Sequence, residues 1–276
     1  MLFDGAHKQV AGNADWILDT HFPSPQPATP TSETSWNGGI SAWGFDLVKT
    51  GRYSVTQLSP GASLSFGGGG EGDLQRFEVF ISDEPELNFS STEQTALMQF
   101  AHSGGGIFLA SDHAGATRCS TCTQAWQVIN SFLVTGAAAN AFGVKCDGND
   151  IGTVTGTATD ARFTTGPFGQ GTQLAYHAGS SVSATANNAF TIVSAGAHGL
   201  MVGSEIAGGG RIILLGDSSP LEDGTCNAAP RFTMGGVRSM TPPSCSTRPP
   251  GWHTTSDLQA GGGRVSESRS RTSASG

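Results

Sequence analysis

Residues 103–118 read S-G-G-G-I-F-L-A-S-D-H-A-G-A-T-R, and the fold turns on this stretch. Gly104, Gly105 and Gly106 stop a helix and permit a tight turn, because glycine takes positive φ without steric cost. Ile107, Phe108, Leu109 and Ala110 follow as an unbroken apolar run. A strand covered on both faces by helices reads this way, whereas a half-exposed strand alternates. The chemistry then changes abruptly: Ser111, Asp112 and His113 stand where the strand ends, followed by Ala-Gly-Ala and Arg118. Ligands of open parallel sheets bind beyond the carboxyl ends of the strands, so a carboxylate and an imidazole there are candidates for chemistry. The plainer reading is an Asp that caps the next helix and a His that merely hydrogen-bonds.

Upstream, Ser90-x-x-Glu93 is a capping box that opens a helix through Ala101, with Leu97, Met98 and Phe100 inward. Downstream, residues 123–134 are amphipathic, with Trp126, Ile129, Phe132 and Leu133 at helical spacing. The pattern predicts strands over residues 1–4, 53–58 (nearer the sheet edge) and 77–81. It predicts a short helix over 11–18, an exposed proline-rich loop over 22–34, and a helix within 35–50 stopped by Gly51. Residues 61–72 are glycine-rich but lack the Lys-Ser/Thr end of a phosphate loop, and read as a flexible loop. Residues 143–190 suggest hairpins and loops. The last strands fall at 190–193, 199–206 and 211–215, the final two joined by Gly208-Gly209-Gly210 as an antiparallel hairpin. The expected class is α/β, a mainly parallel sheet with helices on both faces and that hairpin at its C-terminal end.

The length of 276 residues suits one sizeable α/β domain or two small ones. The net charge of −8 argues against a nucleic-acid or anionic-membrane surface, and no apolar run is long enough for a membrane span. Residues 1–225 hold eight basic and twenty acidic side chains, a net −12, whereas from Cys226 onward six Arg face only Asp257 and Glu267. Apolar periodicity also ends there, so residues 226–276 read as a disordered tail, with a frameshifted terminus as one explanation. No signal peptide precedes the first strand. A domain seldom begins within a strand, so the true start is expected upstream and a secreted or periplasmic location stays open.

Five cysteines are present: Cys119, Cys122, Cys146, Cys226 and Cys245. The Cys119-x-x-Cys122 pair precedes a helical pattern, where a thiol pKa can fall; a local disulfide or two inert thiols outweigh a redox centre. A single such pair is weak evidence for zinc.

Three apolar runs each end in an acid, Asp4, Asp112 and Asp217, and a fourth, through Ile81, ends in Asp83-Glu84. If these strands are parallel neighbours, the acids gather along one sheet edge with His7 and His113. Two uses fit: a divalent metal on Asp4, His7, Asp112 and His113 that activates water, or crowded carboxylates supplying a general acid or base. Ser111, Ser218 and Ser219 are possible nucleophiles, but no G-x-S-x-G elbow is present.

Four segments carry a resemblance: L-F-D-G-A-H-K-Q-V-A-G-N-A-D-W, S-D-E-P-E-L-N-F-S-S-T-E-Q-T-A-L, G-G-G-I-F-L-A-S-D-H-A-G-A-T-R and G-G-G-R-I-I-L-L-G-D-S-S-P-L-E-D-G-T. Over about residues 1–225 the chain resembles bacterial hydrolases of the class I glutamine amidotransferase-like superfamily, akin to trehalose-utilisation (ThuA-like) domains. The resemblance implies a flavodoxin-like, doubly wound domain over 1–225. It places the group's polar strand-end residues on Asp4, His7, Gln9, Asn13, Asp15, Glu84, Asp112, His113, Arg118 and Asp217. The amidotransferase nucleophile cysteine is missing, since the central strand runs into Asp112-His113, so glutaminase activity is not expected. The expected activity is hydrolysis through the Asp4, His7, Asp112, His113, Arg118 and Asp217 cluster on a small-molecule or carbohydrate-linked substrate. The alternative is a non-catalytic domain binding a small ligand or carbohydrate.

Overall fold

The computed structural model describes residues 1–12, 14–161, 165, 166 and 169–223. In chain order the elements are β1 (Leu2–Phe3), α1 (Ser41–Lys49), β2 (Thr56–Gln57), β3 (Val79–Asp83), α2 (Ser91–His102), β4 (Gly106–Ala110) and α3 (Ala125–Leu133). Short strands follow: β5 (Val144–Cys146), β6 (Val154–Ala158), β7 (Thr165–Gly166), β8 (Gly169–Gln170), β9 (Gln173–Tyr176) and β10 (Val182–Ala184). β11 (Ala189–Ala195), β12 (His198–Glu205) and β13 (Arg211–Leu215) complete the described chain, apart from two 3-10 turns at Leu74–Arg76 and Ser219–Leu221. The class is mixed α/β, with few helices around a large open sheet.

That sheet has nine strands in the order β2-β1-β3-β4-β13-β12-β11-β6-β9. The first five are parallel, and their register aligns the carboxyl ends: Asp83 pairs with Ala110, and Ala110 with Leu215. From β13 onward every pairing is antiparallel, so the expected hairpin of β12 and β13 continues through β11, β6 and β9. The order reverses at β1, since the chain passes first to β2 on one side and then to β3 on the other. In open α/β sheets such a switch point is where ligands bind.

Side chains alternate across the parallel strands and bury both faces. Leu2, Phe80, Ile107, Leu109, Ile212 and Leu214 pack with residues of α2 and α3, including Leu97, Phe100, Ile129 and Phe132. Phe3 and Ile81 face the other way, against Trp16, Trp36, Ile40 and Leu47 on and before α1. Trp43 of α1 meets the rings of Phe3 and Phe108 edge-on, each at 5.3 Å. The glycines before β4 act as the sequence suggests. Gly104 turns at φ +97°, and a Cβ on Gly105 would lie 2.4 Å from the Phe100 ring, so only glycine lets strand and helix close up.

α2 carries the expected capping box, Ser90 Oγ accepting from the Glu93 amide while the Glu93 carboxylate accepts from Ser90 N. Three expectations change. Among the described residues of 11–18 there is no helix: Gly12 sits at φ +61°, and apart from Ala14 N to Ala11 O the backbone bonds run outward, Trp16 N to Gln9 O, and the carbonyls of Asp15, Ile17 and Leu18 to the amides of residues 38–40. Residues 35–40 are consumed in that pairing, so α1 begins only at Ser41. The strand expected over 53–58 shrinks to Thr56–Gln57 on the sheet edge, with Gln57 N turned to Pro23 O. The glycine-rich loop is pinned, not loose: Gly67 N and Gly69 N each donate to the Asp73 carboxylate at 2.7 Å, occupying amides a phosphate would need. The tail expected to be disordered, residues 226–276 with Cys226 and Cys245, lies outside the described residues, as does the last stretch of the domain assigned to 1–225.

Candidate functional site

Because β1, β3, β4 and β13 are parallel neighbours, the residues after each strand meet at one edge: Asp4, Asp83-Glu84, Ser111-Asp112-His113 and Asp217-Ser218. They sort into two hydrogen-bonded groups and one buried acid.

The first group surrounds β1. Asp4 is buried and accepts from His7 Nδ1 at 2.9 Å and Ser82 Oγ at 2.7 Å. His7 Nε2 pairs with Glu93 Oε1 at 3.4 Å, and Phe89 lies against the imidazole, ring centres 4.3 Å apart. Gln9 closes the loop, accepting from His7 N at 2.8 Å and donating to Ser82 Oγ at 3.2 Å. Burial works against a charge on His7, but the Asp4 and Glu93 carboxylates overrule it and carry its pKa to about 10. Burial likewise opposes the Glu93 charge, yet His7 and Ser90 bring that carboxyl down to about 2. His7 is therefore an imidazolium held between two carboxylates, a clamp between the β1 loop and the start of α2. Asp15, also buried, gives its carbonyl to Gly39 N at 2.8 Å and belongs to the α1 side. Asn13 lies outside the described residues.

The second group is centred on Arg118. Its Nε donates to Glu84 Oε1 at 2.8 Å, and Nη2 reaches Glu84 Oε2 and Asp112 Oδ2, both at 3.1 Å. Ser218 Oγ donates to Glu84 Oε2 at 2.9 Å. The other Asp112 oxygen, Oδ1, takes His113 N at 2.6 Å and His113 Nδ1 at 2.7 Å. The His113 side chain is 31% exposed, and its Nε2 makes no hydrogen bond among the described residues. The Asp112 hydrogen bond raises the His113 pKa, with burial opposing. Burial lifts Glu84 to about 8 despite Arg118. Glu84 also holds φ +43°, a left-handed conformation costing roughly 1–2 kcal/mol for a residue with a Cβ.

The buried acid is Asp83, 2% exposed, with neither carboxyl oxygen hydrogen-bonded among the described residues. Burial, then Glu84, Asp217 and Asp112, push its pKa well above the carboxylate range. Asp217 rises to about 6, chiefly by burial; its oxygens cap Ser219 N at 2.9 Å and His177 N at 2.8 Å.

The residues expected to hold a metal fall into separate pairs. Among the described residues no three His, Cys, Asp or Glu side chains are arranged to hold an ion. Asp4 and His7 form one pair, Asp112 and His113 another, and a His7 charged on both nitrogens has no lone pair to offer. Two of the three possible nucleophiles are also spoken for: Ser111 Oγ donates to Asp112 O at 3.3 Å, and Ser218 to Glu84. Cys146 is buried, and its thiol is pushed up to about 12.

Sequence reading missed Glu86 and the tertiary half of Glu93. Glu86 is buried, and its carboxylate takes Arg118 N at 2.9 and 3.0 Å. No local pattern announces a partner 32 residues away. Two surface grooves of about 470 and 520 Å³ flank α2, on either side of Phe66. Their linings carry one ionisable side chain, Glu78.

No protein-family model matches the chain, and no curated protein matches it. Among solved structures, the N-terminal domain of mmIFT52 aligns with a TM-score of 0.51 at 14% identity, over 82% of this chain and 89% of that one. Two cytoplasmic proteins of Salmonella typhimurium, STM3548 and STM1381, align at 0.48 and 0.46 with 12% and 11% identity, each over 78% of this chain and 86% of theirs. The first likeness is one of fold.

Proposed function

We propose that this chain is a hydrolase in which His113 activates water, on a doubly wound flavodoxin-like domain of the class I glutamine amidotransferase-like type. The observation that carries the reading is the relay Arg118–Asp112–His113. Arg118 fixes Asp112, Asp112 holds Nδ1 of His113, and Nε2 of this partly exposed ring makes no hydrogen bond among the described residues. A general base needs this arrangement: one nitrogen fixed by a carboxylate and the other open to the proton it takes. The strand order supports the fold assignment, since β2-β1-β3-β4-β13 follows the 2-1-3-4-5 order of doubly wound sheets that bind ligands at the switch point.

Within this reading Asp112 and Arg118 are positioning residues, while Asp4 and His7 hold the crevice wall. The neutral form favoured at Asp83 limits negative charge beside the base. The substrate class is a small molecule with a hydrolysable ester or glycosidic linkage, free or carbohydrate-linked. A panel of nitrophenyl esters and glycosides tests it. Hydrolysis should fall about 100-fold or more in His113→Ala, the usual contribution of a general base, with the melting temperature nearly unchanged. Equal turnover by the variant sinks the proposal. One observation favours the second reading, a ligand-binding domain without chemistry: the Arg118 guanidinium is already matched by Glu84 and Asp112. On that reading sugars raise the melting temperature and no substrate is turned over.

A further inference from the structure

Cys119 and Cys122 are bridged, closing a four-residue ring immediately after Arg118. The ring lies between two donors that converge on one residue. Arg118 N donates to the Glu86 carboxylate, and Thr123 N donates to Glu86 O at 2.9 Å. Inside the ring, Cys122 N bonds Cys119 O at 3.1 Å. Glu86 N in turn donates to His7 O at 2.8 Å, so the same contact ties the loop after β4 to the clamp beside β1. The bridge therefore sets the spacing at which residues 118 and 123 both reach Glu86. Both cysteines are partly exposed.

We propose that Cys119–Cys122 is a reversible thiol–disulfide site, a redox latch on the segment that carries Arg118. A dithiol reductant supplies the electrons. Its thiolate attacks one sulfur of the bridge, forming a mixed disulfide and expelling the other cysteine as thiolate. The second thiol of the reductant then closes its own disulfide and releases the first cysteine. Two electrons and two protons end on Cys119 and Cys122, and the reductant leaves oxidised. Once the ring opens, the register between residues 118 and 123 is no longer fixed, and the Arg118 contacts with Glu86, Glu84 and Asp112 loosen. The latch rests on the position of Arg118, and holds whether or not the crevice hydrolyses anything.

Segment-resolved amide hydrogen exchange on the full chain, with and without millimolar dithiothreitol, reads the latch without any substrate. Peptides spanning residues 114–124 should exchange about 20-fold faster when reduced, the loop-closure entropy of a four-residue ring, while β3, β4 and β13 keep their protection. The variant Cys119→Ser/Cys122→Ser should show the fast exchange without reductant and no further response to it, which removes the other three cysteines as a cause. Equal exchange in both redox states overturns the proposal, as does a bridge that native protein does not yield to the reductant. Loss of protection throughout the sheet also overturns it, making the bridge a structural staple.

Discussion

His113 and His7 separate by what each ring nitrogen can still do. His7 is 2% exposed and spends both nitrogens on carboxylates, whereas His113 spends one. His7→Ala leaves Asp4 and Glu93 facing each other without their cation, and removing one member of a buried ion network costs about 3–5 kcal/mol. The melting temperature should drop clearly in that variant and hardly at all in His113→Ala; the reverse ranking in a thermal scan refutes the division of roles. The pH dependence has a definite sign. The folded-state pKa of His7, about 10, lies above its ordinary 6.5, so its contribution is complete below pH 6.5 and lost as pH rises through about 10. Glu93, depressed to about 2, contributes above its ordinary 4.5 and loses that as pH falls through about 2. Urea midpoints should therefore decline from pH 6.5 to 10 in the wild type and less steeply in His7→Asn. For His113 the raised pKa moves the acid limb of any hydrolysis above the usual imidazole value, so kcat/KM should climb with pH through a midpoint above 6.5. Asp83 behaves oppositely to Glu93. Its raised pKa favours the folded state only while it is protonated, and Asp83→Asn should gain on the wild type in melting temperature as pH increases from 4 to 9.

At the scale of elements, the helices are fastened at their N-termini by very different means. α2 carries its own capping box, and the sequence announces it. α1 has no local side-chain cap. Instead Asp223, 182 positions from Ser41, accepts from Ser41 Oγ and Ala42 N, each at 2.7 Å. A cap of this kind is worth about 1 kcal/mol. Asp223→Ala should thus lower the melting temperature by roughly 2–4 °C, the shift such a loss produces in a domain of this size. An unchanged transition in calorimetry removes Asp223 as a cap. The failed helix at residues 11–18 has a related cause. The segment reads as a short helix, but Gly12 turns at positive φ and the amides of 38–40 offer the backbone better partners than an isolated turn.

At the scale of the whole molecule, protection from exchange should follow the sheet order. β3, β4 and β13 are covered on both faces and paired on both sides, so their amides should exchange slowest, and those of the edge strands β2 and β9 fastest. A slowest set confined to the antiparallel strands contradicts this. The sequence by itself determined the parallel core and its polar ends. Unbroken apolar runs through Ile81, Ala110 and Leu215 can be buried only on two faces, and an abrupt change to Ser, Asp and His marks where burial stops. It also determined the second helix, because a capping box is a local bond pattern. Tertiary structure alone decided the rest. It separated Asp4–His7 from Asp112–His113, drew Glu86 and Ser218 to the Arg118 group, and left the Asp83 carboxyl without a hydrogen-bond partner among the described residues. Local patterns record which side chains a backbone segment presents, whereas pairing depends on strand order, and strand order is fixed by contacts between residues far apart in the chain.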